Sequence, residues 1–146
     1  MSDVHISVKL ENNSKIVLEE MRAKMEDALY VMGVTSVEGA TEAISGASGI
    51  APAVDTGRLR ASISFITPTR EGVNKVSDEE AAKLKVGDTL KGSADKNTVV
   101  VGSNVEYAEY VHDGTSKMVG RPFLRVGIES VLDKMERQVQ NVFEDK

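Results

Sequence analysis

Three short segments of this 146-residue chain hold side chains whose types and spacing could do chemistry. Asp55-Thr56-Gly57 is the triplet with which aspartic proteases present a carboxylate. Such a site needs two aspartates sharing one proton, one of them with a raised pKa, and a small residue after the triplet so that the pair can approach. Here Arg58 follows, and its cation favours an ionised neighbour. Ala51-Pro52-Ala53-Val54 is also a poor apolar strand to lead into such a site. The segment reads as a capped turn, in which Asp55 or Thr56 accepts a hydrogen bond from a backbone N–H at the start of Gly57 to Ala61. His112-Asp113 could belong to a nucleophilic triad, but no Gly-x-Ser-x-Gly elbow presents a serine. The other histidine, His5, lies at the far end of the chain, so a metal site lacks ligands at usable spacing; His112 reads as a solvent-facing turn residue. Asp78-Glu79-Glu80 lacks the alternating ligands and central glycine of a calcium loop and reads as a solvated helix start. Gly102-Ser103-Asn104 and Gly120 do not form a phosphate cradle. No catalytic, cofactor-binding or metal-ligating set emerges, and no cofactor is expected.

Composition narrows the class in the same direction. With 40% hydrophobic residues the chain can bury one core, so a single domain spanning 1–146 is expected. A net charge of -5 disfavours a surface built to neutralise phosphates, and sequence-specific nucleic-acid binding is not expected. Aromatic residues are only 4%, which leaves little for a base-stacking platform. The chain has no cysteine, which suits a reducing cytoplasm and excludes thiolate chemistry. Met1-Ser2-Asp3-Val4-His5 lacks the pattern of a secretory signal, and no apolar run reaches the roughly 20 residues that span a bilayer, so a soluble protein without membrane contact is expected.

The elements that must position these segments follow from periodicity. Val4, Ile6, Val8 and Leu10 alternate with polar residues, the pattern of a half-buried strand. Ser14 can cap a helix in which Ile16 or Val17, Met21, Met25, Ala28, Leu29 and Met32 recur at three- and four-residue spacing. That pattern weakens but persists past Gly33 and Gly39 to Ala47. Ala61 to Pro68 reads as a second strand and Thr98 to Gly102 as a third. Between them the chain turns polar and charged. Ser77 to Glu80 forms a capping box for a short helix through Leu84, inside a long loop or hairpin whose tip lies off the core. Ser103-Asn104 can cap a short helix carrying Tyr107, Tyr110 and Val111. Pro122 suits the first turn of a last helix, along which Leu124, Ile128, Val131, Met135, Val139 and Val142 continue nearly to the C-terminus. The expected fold is α+β, a small and mostly antiparallel sheet covered on one face by two long amphipathic helices, with a charged loop or hairpin insert.

Two blocks carry a resemblance. The first is Pro52 followed by Val54-Asp55-Thr56-Gly57-Arg58-Leu59-Arg60-Ala61-Ser62-Ile63; the second is Tyr107-Ala108 with Val111, Gly114 and Thr115, closed by Pro122-Phe123-Leu124. In order, spacing and flanking elements the chain resembles the tail-completion and head-tail joining proteins of long-tailed bacteriophages, often called the gene-product-ten family, with 71–96 as a variable insert. The resemblance implies a structural virion protein and not an enzyme. Its implied role is a tail-terminator-like or neck ring, typically a hexamer, at the head-proximal end of the tail. The implied partners are further copies of itself, tail-tube proteins and neck or connector proteins, and the implied location is the virion after assembly in the host cytoplasm. A closed ring of identical copies needs two different complementary faces on each subunit. Candidate contact residues are Asp55, Thr56, Gly57, Arg58 and Arg60, then Tyr107, Tyr110, Gly114, Thr115, Pro122 and Phe123, together with the insert. Each arginine could instead pair with a local acid, and each tyrosine could pack beneath the helices. A generic protein-interaction domain and a hydrolase using Asp55 are the alternatives.

Overall fold

The computed structural model describes residues 4–7, 15–46 and 57–144, with side chains from residue 19 onward. Four strands, β1 (Val4–Ser7), β2 (Ser64–Ile66), β3 (Glu71–Val73) and β4 (Thr98–Gly102), form one sheet in the order β1-β4-β2-β3. Every pairing is antiparallel, with Val4 opposite Val101, Phe65 opposite Val101 on the other side, and Phe65 opposite Gly72. The hairpin from β2 to β3 turns at Pro68-Thr69. It is closed by Thr67 N–H donating to Arg70 O at 2.8 Å, while Thr67 Oγ1 accepts from Arg70 N–H at 2.9 Å. Residues 8–10 of the first expected strand lie outside the described residues. The Ala61–Pro68 strand is shorter than expected, because Arg58–Ser62 forms a helix, α2, ahead of it.

α1 (Lys15–Ile44) runs unbroken through both glycines. Between residues 19 and 31 it obeys the one-sided pattern read from the sequence. From Met32 onward it is buried on two sides, so that even Thr35, Ser36, Gly39 and Ala40 are inaccessible. The cause is its position: one side of α1 lies on β2 and β4, and the other packs against α5 (Phe123–Ser130) and α6 (Leu132–Glu144). The fold is α+β as expected, with α1 covering the sheet and the C-terminal helices packing chiefly along α1. The C-terminal helix is broken, at Val131, whose φ of -113° and ψ of 8° leave the helical region and let both halves stay on α1.

Glycine decides two of these contacts. Where α1 crosses α5, a Cβ at Gly127 would lie 2.5 Å from Gly39 O, and one at Gly39 would strike Gly127 O, so the helices meet backbone to backbone. The Phe65 ring is held between Gly33 of α1 and Gly72 of β3, and a Cβ at either would overlap it. The same core holds Leu29, Ile44, Ile63, Val99, Val101, Phe123, Leu124 and Ile128. Each such side chain contributes about 1.5–3 kcal/mol by leaving water. Tyr30 meets Phe65 edge-on, with ring centroids 5.5 Å apart, and stays partly exposed beneath Arg70, whose guanidinium lies 5.0 Å from its centroid.

Candidate functional site

Two arginines on α2 organise the surface around the insert. Gly57, at the N-terminal end of α2, has φ 89°, and a Cβ there would strike Glu80, so only glycine admits this approach. Arg58 then grips two carboxylates at once. Its Nε and Nη2 donate to Asp88 at 2.8 and 2.9 Å, and its Nη1 and Nη2 donate to Glu106, both at 2.9 Å. The fork geometry of guanidinium is what permits this double bidentate pairing. Hydrogen bonds from Asp88 and then Glu106 raise the Arg58 pKa, and those same bonds hold both carboxyls below their ordinary values. The cation also lies 5.5 Å from the Tyr107 ring centroid. Burial is the largest influence on the Tyr107 phenol and pushes its pKa up.

Arg60 repeats the device two residues later. Its Nε and Nη2 donate to Glu80 at 2.5 and 2.7 Å, lowering the Glu80 pKa, while Nη1 reaches Ser45 Oγ at 2.9 Å. Glu80 belongs to α3 (Asp78–Ala81), which Ser77 caps by accepting from Glu80 N–H; the helix stops before the expected Leu84. Buried hydroxyls tie down the returning chain. Ser64 Oγ accepts from Leu90 N–H at 2.8 Å, Ser62 Oγ and Ser103 Oγ lie 2.6 Å apart, and Asp88 O accepts from Asn104 N–H at 2.9 Å. The insert is thus fastened by its own subunit at Glu80, Asp88 and Leu90. Only part of it, with Val86 fully exposed, projects as the sequence suggests.

The second block forms a different surface. Tyr107 precedes α4 (Ala108–Asp113), and Gly114, at φ 82°, packs its backbone on Gly120 where a Cβ on either would collide. A bridge between Thr115 and Met118, and Arg121 N–H donating to Val111 O at 2.7 Å, close the 114–121 loop. The loop presents Val119, 86% exposed, and the helix beside it presents Tyr110, 56% exposed. His112 differs from the solvent-facing reading, because its side chain is only 11% exposed. It packs edge-on against Phe123 with centroids 5.4 Å apart. Its Nδ1 pairs with Asp113 Oδ1 at 2.7 Å, and Nε2 accepts from Arg125 N–H at 3.4 Å, so both ring nitrogens serve structure. Pro122 immediately precedes α5, with Phe123 and Leu124 fully buried behind it.

A third feature is a groove of about 670 Å³ between β3 and the accessible strip of α1. Tyr30, Val34, Val37 and Phe65 supply its apolar lining, with Glu38, Glu42 and Glu71 among its polar residues. Glu38 and Glu71 have cationic neighbours in Lys134 and Lys91, each at 3.5 Å, pairs too exposed and too long to weigh much.

Of the residues singled out from sequence, Asp55 and Thr56 lie outside the described residues. Gly57, Arg58 and Arg60 are brought together with the insert, in pairing within the chain, and Tyr107 joins them through Arg58. Tyr110 faces outward, Gly114 and Thr115 shape the loop, and Pro122 and Phe123 set α5. Sequence reading missed Glu80, Asp88 and Glu106 as partners of the arginines. Their separations of 20, 30 and 48 positions follow no local pattern. Among the described residues no three His, Asp or Glu side chains group so as to hold a metal ion.

A family model described as "Bacteriophage HK97-gp10, putative tail-component" matches residues 6–114. No curated protein matches the chain, and no solved structure does.

Proposed function

Because the chain belongs to the HK97-gp10-like family of bacteriophage tail components, we propose that it acts as a ring at the head-proximal end of the tail, completing the tail and joining it to the head. The supporting observation is that the family match runs through α1, the arginine-fastened insert and the Tyr107–Gly114 block, so the family's pattern coincides with the parts that build the surface. Its role in the tail is structural, and the action proposed is binding alone.

Two surfaces of different character suit a head-to-tail ring. The α1/β3 groove offers a recess at one end of the sheet, and β1, the terminal strand at the other end, offers a different face. Closed heterologous assembly requires such a pair of unlike faces. Tail-tube proteins below and neck proteins above are the proposed partners, with the chain carried in the virion after assembly in the host cytoplasm. Arg58 and Arg60 serve this indirectly, by fixing the insert and Tyr107 instead of contacting a neighbour through their charge. Deleting the gene tests the proposal. Infected cells should then accumulate filled heads and separate tails, and supplying the chain should join them; normal joined particles without the chain would refute it.

A further inference from the structure

We infer that the sheet continues from one copy to the next, β1 of a neighbouring copy adding to the open edge of β3 and filling the groove beside α1; this rests on the ring proposed above.

The backbone hydrogen bonding of β3 points there. In an antiparallel ladder, pairs that exchange hydrogen bonds alternate with pairs whose N–H and C=O groups turn away from each other. Thr67 donates to Arg70 O, so Phe65 and Gly72 form the next bonded pair, and Glu71 and Val73 turn their backbone groups outward. Among the described residues β3 is terminal in the sheet, so two N–H and two C=O groups line an edge able to receive a strand. The side chains agree. Where the sheet stops, α1 extends past it, leaving Tyr30, Val34 and Val37 over a recess that runs along β3. Edge and recess together make a place where an added strand bonds through its backbone and drops alternate side chains against a helix.

The identity of the strand follows from direction and pattern. β1 is antiparallel to β4, β4 to β2 and β2 to β3, so β1 and β3 run in opposite senses. Copies related by rotation about an axis along the strands keep those senses, and β1 of the next copy meets β3 antiparallel. β1 is also the other terminal strand, and its Val4-His5-Ile6-Ser7 alternates apolar and polar residues as a recess with an apolar lining requires. Repeated around a ring, this contact is heterologous, closes, and leaves no sheet edge exposed.

The test uses the full chain. Val73→Pro removes an N–H that serves no bond within the subunit, in an edge strand that tolerates proline. It should keep the wild-type circular dichroism spectrum and melting temperature and raise the concentration for half-assembly at least tenfold by mass photometry. Hydrogen exchange on the wild type gives an independent reading, with the Glu71 and Val73 amides slowed at least tenfold in rings relative to monomers. Rings forming at the wild-type concentration with Val73→Pro, or equal exchange of those amides in both states, would overturn the inference. Normal rings that fail only to attach heads would also overturn it, by assigning the edge to a different protein. A wild-type chain that closes no ring would remove the functional reading and this contact together, which distinguishes the two failures.

Discussion

Gly127→Ala separates a local from a tertiary explanation of this fold, because the two predict opposite signs. Gly127 lies inside α5, where helix propensity alone favours alanine by about 0.8–1 kcal/mol. At the crossing, however, the new Cβ would sit 2.5 Å from Gly39 O and 2.6 Å from Ala40 Cα, both backbone atoms that cannot rotate away. Ordinary contact needs roughly 3.5–4 Å, so the helices must separate by about 1 Å, and a gap of that size forfeits up to half of each affected dispersion contact. Overpacking of this kind costs about 1–3 kcal/mol. The clash outweighs the gain in helix propensity, and the variant should be less stable by up to about 2 kcal/mol, lowering the melting temperature by up to about 8 °C at this chain length. Urea denaturation followed by circular dichroism measures it, and Gly39→Ala should behave alike. A raised midpoint for either variant would refute the backbone crossing.

Phe123→Ala should cost about 3–5 kcal/mol in the same assay, since the ring is fully buried and contacts His112; an unchanged midpoint would show that the start of α5 is misplaced. The carboxyls of Asp88 and Glu80 are held below their ordinary values chiefly by Arg58 and Arg60. Their contribution is therefore complete above the ordinary carboxylate pKa and lost as pH falls through the depressed folded values. Stability should hold from neutrality down to the ordinary carboxylate range and fall below it, and Asp88→Asn should weaken that fall, as pH-dependent urea midpoints would reveal. Tyr110→Ala and Val119→Ser should leave the melting temperature within about 1 °C of wild type, because both side chains face solvent, yet reduce the joining of tails to heads counted by electron microscopy.

What the sequence displayed was what repeats locally. Alternation placed Val4–Ser7, a continuous β-branched run placed Thr98–Gly102, three- and four-residue spacing placed α1 and the C-terminal helices, and Ser77 and Pro122 marked helix starts. Long-range geometry was not visible. Gly33 and Gly39 look like interruptions of a pattern until Phe65 and Gly127 are seen against them. The arginines of α2 look like free charges until distant chain brings Glu80, Asp88 and Glu106 to them. Ser62 and Ser64 read as the polar side of a strand and Ser103 as a helix cap, yet all three are buried and bond one another or the returning insert. His112 looked exposed because Asp113 and Gly114 follow it, and only the position of Phe123 encloses it. Nothing local foretold the break at Val131, since Leu124, Ile128, Val131 and Met135 keep helical spacing across it.

The central claim, a closed ring of this chain between tail and head, is tested most directly by electron microscopy of the assembled particle with this chain located in the density. Several copies related by rotation about the tail axis are expected at the head-proximal end, with no break in the circle. One copy per particle, or copies without rotational symmetry, would contradict it.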